Sequence, residues 1–246
     1  MSQSPPLSPP QSATPGSGPG DTTPGNADPR VARTTGLLYL GLALTGMLGF
    51  LLVRPALYVA GDPVATLGHL VDQAALARVG VALEMGIVVT QALAALWFYR
   101  LFRPVDAFAA GAIAVFGLVN AVAILASAAA LGTAVQVAAE PFGDSASAVQ
   151  LMYLVSNNLW GVGALFFGLW LVPMGWCVLR SGWMPRPLGW ILVAGGAGYV
   201  LSAFVSYLAP EAGVVADALA VPASVGEFWM IGWLLLTRKT RRTDLA

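Results

Sequence analysis

Two carboxylate side chains lie within long apolar stretches of this sequence, and that setting makes them candidates for chemistry. Glu84 lies in the stretch VGVALEMGIVV, and Glu227 lies in VPASVGEFWMIGWLL. A carboxylate in an apolar environment is costly unless it is protonated, accepts hydrogen bonds or binds a cation. Each of the two residues is therefore a candidate for binding an ion or a small solute.

Four neutral polar residues fall near the depth of these carboxylates if each apolar stretch is a helix that crosses a membrane. We expect neither carboxylate to have a Lys or Arg partner, because no basic residue occurs within the predicted spans. The pattern predicts a polar pocket in the outer half of a helix bundle. Its candidate ligand-binding residues are Glu84, Glu227, Asn120, Asn157, Asn158 and Ser202.

Hydrogen bonding between helices is the alternative explanation of the same residues. Such a pair contributes about 0.6 to 2 kcal/mol to helix association in a membrane. Spacing along the chain does not distinguish this role from a ligand pocket, so both explanations stay open at this point.

Signals for other chemistry are missing. His69 is the only histidine and Cys177 the only cysteine, whereas a metal site usually needs three or four ligands. We expect His69 to be exposed in a loop and Cys177 to be a buried apolar residue. The chain has no HExxH, GxxxxGK[ST] or GxSxG motif. The sequence thus predicts no metal, no cofactor, no catalytic residue and no enzyme activity.

The composition indicates a lipid environment. Hydrophobic residues make up 57% of the chain and charged residues only 10%, against about 25% charged in a soluble domain. Twelve basic and twelve acidic side chains give a net charge of zero, which argues against a nucleic acid partner. We therefore expect the lipid bilayer to be the main partner of this chain.

Six apolar segments predict an all-α, polytopic transmembrane helix bundle. About twenty residues at 1.5 Å each cross the hydrocarbon of a bilayer, and six segments approach or exceed that length. Segments 131–152 and 209–220 are predicted to be outer loops. The predicted spans are residues 34–53, 79–99, 107–130, 153–179, 188–208 and 221–237.

The basic residues predict the orientation of these spans. Ten of them lie next to the ends that would share one side of the membrane, and only Arg54 and Arg78 fall on the other side. Basic residues favour the cytosolic side, so both termini are expected in the cytosol and the protein in a cell membrane. The ten are Arg30, Arg33, Arg100, Arg103, Arg180, Arg186, Arg238, Lys239, Arg241 and Arg242.

The chain divides into one integral domain and two tails. Residues 1–30 are rich in Pro, Ser and Gly and are predicted to form a disordered cytosolic tail. Residues 31–238 form the predicted six-helix membrane domain, and residues 239–246 a basic cytosolic tail.

Small residues spaced four apart predict where helices approach one another. Gly41, Thr45 and Gly49 share one stripe, and Gly168 and Gly198 lie on similar stripes of later spans. We expect these contacts to form within the chain, while contact with a second copy or with a partner membrane protein stays open.

Four stretches of the sequence resemble a known family. They are RTTGLLYLGLALTG from Arg33, LWFYRLFRPVD from Leu96, the run from Leu165 to Phe204 that includes FFGLWLVPMGW and LRSGWMPRPLGW, and VPASVGEFWMIGWLL from Val221. Together they resemble the DUF4386 domain of uncharacterised bacterial multi-pass membrane proteins. Glu227 matches the Gly-Glu pair of that family's last span, whereas Glu84 lies outside the four stretches. The resemblance implies a membrane protein of the bacterial inner membrane and brings no known activity.

Two hypotheses for function follow. The first is a membrane protein that binds or passes a small solute or ion through a pocket near Glu84 and Glu227. The second is a structural or regulatory membrane module that acts through helix packing with a partner.

Overall fold

The structure is a computed structural model that describes residues 28–236 of the 246-residue chain. Nearly all of these residues are helical, and the described part of the chain contains no β-strand. Almost all of the predicted disordered tail, and the whole of the predicted basic tail, lie outside the described residues. The prediction of an all-α fold is confirmed.

Six of the seven helices in residues 28–236 are long and apolar enough to cross a membrane, as the sequence predicts. The exception is α2, which has ten residues. A 3₁₀ turn, Pro210–Ala212, precedes α7. The helices are α1 Pro29–Leu57, α2 Pro63–Asp72, α3 Ala74–Phe102, α4 Ala107–Ala139, α5 Ser145–Ser181, α6 Arg186–Leu208 and α7 Gly213–Leu236.

The prediction of long outer loops is wrong. Of segment 131–152, only residues 140–144 lie outside α4 and α5, and most of segment 209–220 belongs to α7. The Ala-rich end of α4 favours a helix that continues beyond the length needed to span lipid. Asp144 then begins α5 early, because its side chain accepts a hydrogen bond from the Ser147 backbone N–H. Hydropathy reports the lipid-spanning part of a helix and not its full length.

Aspartates define where four of the helices begin. Each lies at the N-cap and accepts a hydrogen bond from a backbone N–H in the first turn, which would otherwise lack a partner. At the opposite end of α5, Gly182 adopts a positive φ of 73° and Pro185 precedes α6, so the turn comprises only residues 182–185. The four N-cap residues are Asp28, Asp62, Asp106 and Asp144.

The six spans form a closed ring in which each packs on its neighbour in the chain, and α7 returns to α1. The α1–α7 contact is the smallest of the six. We call the end that holds Pro29, Phe102 and Ser181 the inner end, and the opposite end, covered partly by α2, the outer end. Large apolar side chains remain exposed around the ring, for example Phe108 at 89%, as a lipid-facing surface requires.

Two apolar cores lie at different depths. The larger one surrounds Trp170, against which Tyr39 and Phe98 pack edge to face at centroid distances of 5.5 and 5.7 Å. The smaller one lies at the outer end and includes Leu57 of α1 and Leu70 of α2. We call this smaller cluster the outer core. It covers the polar residues that lie beneath it.

Close contacts between helices occur within the chain at the predicted small residues. A Cβ atom at Gly41 would lie 3.1 Å from Thr90, and one at Gly198 would lie 2.2 Å from the Leu219 carbonyl oxygen. The prediction of intramolecular packing is confirmed at these positions. The prediction for His69 is wrong, because it lies in α2 and is half-buried.

Candidate functional site

Glu84 lies at the centre of a polar cluster that joins four spans. Its Oε2 accepts a hydrogen bond from Ser127 Oγ of α4 at 2.7 Å. Its Oε1 accepts from Trp160 Nε1 of α5 at 3.2 Å and from Arg54 Nη2 of α1 at 2.9 Å. The Oγ atoms of Ser127 and Ser156 lie 2.7 Å apart and share a hydrogen bond. Both carboxylate oxygens of Glu84 therefore have partners, and only 4% of the residue is exposed.

Arg54 overturns the expectation that neither carboxylate has a cationic partner. Its guanidinium forms an ion pair with Glu84 and donates to Ser156 Oγ at 2.6 Å and to Asn157 Oδ1. The guanidinium also lies 4.9 Å from the ring centroid of Phe50, a cation–π distance. The Arg54 side chain is only 12% exposed. The pair is net neutral, and its guanidinium and carboxylate are largely satisfied by protein.

A π-helical segment brings Arg54 into this position. Residues Leu48–Val53 are π-helical, and the Arg54 N–H donates to the Gly49 carbonyl five residues earlier. Pro55 follows, and its missing N–H and bulky ring disfavour an ordinary α-helical turn before it. The widened turn adds one residue, which rotates the next turn by about 100° relative to an unbroken helix. The predicted span ended at residue 53, which left Arg54 outside it. In the structure the helix continues to Leu57, and Arg54 lies within the bundle.

Little space remains beside the Arg54–Glu84 pair. The adjoining cavity has a volume of about 20 Å³. That volume holds about one water molecule. The outer core covers the cluster from the outer end. This carboxylate is therefore enclosed by its own partners, with no room for a solute.

Glu227 has a different environment. Its Oε1 accepts a hydrogen bond from the Tyr39 hydroxyl at 2.6 Å. Within residues 28–236 this is its only hydrogen bond, and no ion pair involves it. Tyr39 is 2% exposed and is held by edge-to-face contacts with Phe98 and Trp170, so its hydroxyl is fixed in position.

The Glu227 carboxyl group faces a cavity of about 170 Å³ between α1 and α7, with α3 and α5 behind it. Most of its wall is apolar or aromatic. Of the lining side chains in the part of the chain that the structure describes, the polar ones are Glu227, Tyr39, Ser224 and Trp160. The aromatic side chains are Tyr39, Phe50, Trp160, Phe167 and Phe228.

The cavity opens sideways, through the gap between α1 and α7. Met47 and Phe228 line it and are 44% and 53% exposed on the outside of the ring. Gly46 lines the same gap, and a Cβ atom there would have nothing within 4 Å. This opening lies where the ring has its smallest contact, so the outward-opening polar pocket expected from the sequence is replaced by a mainly apolar cavity that opens toward lipid.

The two carboxylates lie in adjacent sites at different depths. The residue before Glu84 packs on Gly49 of α1, whereas Leu234, two turns after Glu227, packs on Gly36. By this register, Glu227 lies about 7 Å nearer the inner end than Glu84. Phe50 and Ile87 line both cavities and separate them. The expectation of a single polar layer is therefore not met.

The four neutral candidates are distributed unevenly. Asn157 belongs to the Arg54 cluster. Asn158 is exposed and pairs with Tyr207 of α6 at 3.1 Å, and the Ser202 hydroxyl donates to a backbone carbonyl of its own helix. Asn120 is 1% exposed, and neither its Oδ1 nor its Nδ2 has a partner among residues 28–236. Of the six predicted residues, only Glu84 and Asn157 join one cluster, and only Glu227 faces the larger cavity.

A comparison with known families identifies the chain. A family model described as a domain of unknown function, DUF4386, matches residues 34–237, which is most of the 246-residue sequence. The chain belongs to the DUF4386 family. No curated protein and no solved structure matches it. The chain is thus shown to be a multi-pass membrane protein of this family, consistent with its six apolar helices.

Segments that carry the DUF4386 resemblance meet at two places in the structure. Tyr39 and Glu227, from the first and the last of these segments, form the hydrogen bond at the larger cavity. At the inner end, Asp106 accepts hydrogen bonds from Trp176 Nε1 at 3.1 Å and from Arg180 Nη1 at 2.9 Å. The Ala109 backbone N–H, Trp176 and Arg180 together lower the pKa of the Asp106 carboxyl group, which favours its charged form in this turn.

Five residues of the Glu84 cluster and the Glu227 cavity were not among the predicted site residues. Tyr39, Trp160, Ser127 and Ser156 lie within apolar spans, and nothing in their spacing distinguishes them from other aromatic or small residues there. Arg54 could have been found, because it directly follows a predicted span end and its long side chain reaches back into the bundle. The five are Tyr39, Arg54, Ser127, Ser156 and Trp160.

Proposed function

We propose that this protein binds a small solute within the membrane, in the cavity that Glu227 faces, and that it does so without catalysing a reaction. One observation carries the proposal: a carboxyl group in a membrane span has one hydrogen bond, from Tyr39, within residues 28–236 and faces a cavity of about 170 Å³. A protein that needed Glu227 only for packing would bury it against partners, since an unpaired polar group in a membrane is costly. The free space beside Glu227 is where a bound solute would supply them.

Glu84 has a different role in this proposal. Its carboxylate is matched by Arg54 and by hydrogen bonds from Ser127 and Trp160, and the adjoining space holds about one water. We assign it to holding α1, α3, α4 and α5 together. This division supports binding rather than passage of a solute, because the cluster and the outer core lie between the cavity and the outer end.

A second candidate function is a structural or regulatory module that acts through a partner. The Arg54 cluster favours it, because its polar groups are used for contacts between helices of the same chain. The large exposed apolar surface is equally suited to lipid and to a partner helix. The response of the protein to small molecules separates the two functions.

We propose that the protein lies in the bacterial inner membrane with both termini in the cytosol. The antiparallel ring brings Arg30, Arg100, Arg103, Arg180 and Arg186 to one end of the bundle, which supports that end as the cytosolic one. A C-terminal fusion to alkaline phosphatase, which is active only outside the cytosol, is expected to be inactive, and a C-terminal fluorescent protein to be bright. The reverse pattern would overturn the orientation.

The solute-binding proposal predicts a stabilising ligand that depends on the cavity. Purified protein in detergent is heated with a panel of cations and lipophilic small molecules. At a hundred times its dissociation constant, a ligand adds about 2.7 kcal/mol to the free energy of unfolding, which is easily seen as a rise in Tm. Gly46→Leu should abolish the rise, because its side chain extends into the open space beside Gly46.

Gly132→Leu is the matched control. Gly132 is also helical and also has nothing within 4 Å of its Cβ position, but it does not line the cavity. The control should therefore respond to the ligand as the wild type does. A panel with no stabilising compound, or a response that survives Gly46→Leu, would contradict binding in this cavity and favour the packing module.

A further inference from the structure

We propose that the ligand of the Glu227 cavity is a small organic ammonium ion with an apolar body, which enters from the bilayer between α1 and α7. This inference rests on the proposed function and adds the chemical class of the ligand and its route. It follows from four properties of the cavity: its charge, its aromatic wall, its volume and its opening.

The charge of the cavity selects for a cation. Among the described residues of the wall, Glu227 is the only ionisable acid or base apart from the Tyr39 phenol, and none is Lys, Arg or His. An unpaired carboxylate in an apolar site is costly, whereas an ammonium group supplies an opposite charge and N–H donors at once. Binding of an anionic ligand is disfavoured, because none of the described residues of the wall offers it a positive charge.

The aromatic wall selects for an organic cation over a metal ion. Five aromatic side chains line the cavity: Tyr39, Phe50, Trp160, Phe167 and Phe228. Aromatic faces attract ammonium groups within about 6 Å, most strongly where water is excluded. Ca²⁺ would need six to eight oxygen ligands, and the wall offers side-chain oxygens only from Glu227, Tyr39 and Ser224. A hydrated metal ion therefore fits this site poorly.

The volume limits the part of the ligand that lies inside the cavity. At about 170 Å³ the cavity is slightly larger than an engineered cavity of about 150 Å³ that binds benzene in another protein. One six-membered ring with a short aminoalkyl group fills such a space. A nucleotide, a sugar phosphate or a whole lipid does not fit inside it.

The opening sets the route. The gap beside Gly46 is bordered by Met47 and Phe228, whose side chains are exposed on the lipid-facing surface. The outer end is closed by the Arg54–Glu84 cluster and by the outer core. A ligand that arrives through this gap must first partition into lipid, so it needs an apolar body as well as the cationic group that meets Glu227.

Benzylamine and benzyl alcohol form a pair of probes that tests the inference. They have the same ring and nearly the same size, but at neutral pH the amine is an ammonium ion and the alcohol is neutral. Binding to the full-length protein in lipid nanodiscs is measured as the concentration dependence of Tm at pH 7. We expect benzylammonium to bind the wild type at least about tenfold more tightly than benzyl alcohol, which corresponds to about 1.4 kcal/mol.

The variant Glu227→Gln should remove this preference. We expect it to weaken benzylammonium binding by about tenfold or more and to change benzyl alcohol binding by less than about twofold, since only the ammonium group gains from the charge of the carboxylate. Glu211→Gln is the matched control, because Glu211 is exposed in the turn before α7 and lies outside the cavity. Gly46→Leu should weaken both probes and serves as the second variant if Glu227→Gln does not fold.

Each other outcome overturns the inference in a different way. Equal affinity of the wild type for the two probes would leave solute binding intact but remove the cation class. Benzylammonium binding that survives both Glu227→Gln and Gly46→Leu would place the ligand elsewhere. If neither probe binds, the ammonium class is overturned. The wider panel with Gly46→Leu and Gly132→Leu then decides whether the cavity binds any solute.

Discussion

Arg54→Ala is expected to lower the free energy of unfolding by about 3 kcal/mol, more than other substitutions of a basic residue at the outer end. Removing one partner of a buried ion pair leaves an uncompensated charge, which costs about 3–5 kcal/mol in proteins. Here the loss leaves Glu84, a residue 4% exposed, without its cation, and leaves Ser156 and Asn157 without a donor. Titration of the detergent-solubilised protein with SDS measures the change.

The double variant Arg54→Met, Glu84→Leu tests whether the loss of stability comes from leaving one charge of the pair without its partner. Replacing a buried ion pair by apolar residues of similar size is often neutral or stabilising, so the double variant should recover most of the loss. Arg78→Ala is the control, because Arg78 is exposed at the same end of the bundle and should change stability by less than about 0.5 kcal/mol. A loss in Arg54→Ala no larger than in Arg78→Ala would mean that the cluster does not hold the four spans together.

Alanine at Gly168 or Gly175 is expected to destabilise the protein by about 1–3 kcal/mol, the usual cost of added methyl groups in a packed interface. These residues bring α5 and α6 together backbone to backbone. A Cβ atom at Gly168 would lie 2.5 Å from the Gly196 carbonyl oxygen, and one at Gly175 would lie 2.6 Å from that of Gly189. Because both obstacles are backbone atoms, a helix must move to admit the methyl group. Such close approach is how small residues stabilise helix pairs in membranes.

Gly132→Ala is the matched control for these substitutions. Its methyl group would meet nothing within 4 Å, and alanine is a better helix former than glycine by about 0.8–1 kcal/mol in water. The control is therefore expected to be neutral or stabilising in the same SDS titration. If Gly168→Ala and Gly175→Ala behave like the control, the α5–α6 contact is looser than the structure indicates.

The six spans could be predicted from the sequence because hydropathy and helix length depend on consecutive residues. Gly41, Gly168 and Gly198 could be found for a related reason, since a spacing of four places small residues on one helix face. Gly175, Gly189 and Gly196 were missed, because which glycines face each other depends on the register between two helices. The outer ends of α4 and α5 were also missed, since the Ala-rich end of α4 and the cap at Asp144 act beyond the lipid-spanning length.

The sequence by itself determined a six-helix membrane protein of the DUF4386 family with two unusual carboxylates, because composition, hydropathy and motifs are properties of the chain. Only the tertiary structure decided how these carboxylates differ. A π-helical turn before Pro55 aims Arg54 at Glu84, and the closure of the ring leaves Glu227 with Tyr39 and an open cavity. The partners of a buried charge come from distant helices, so their identity depends on helix rotation and depth, which local sequence patterns do not specify.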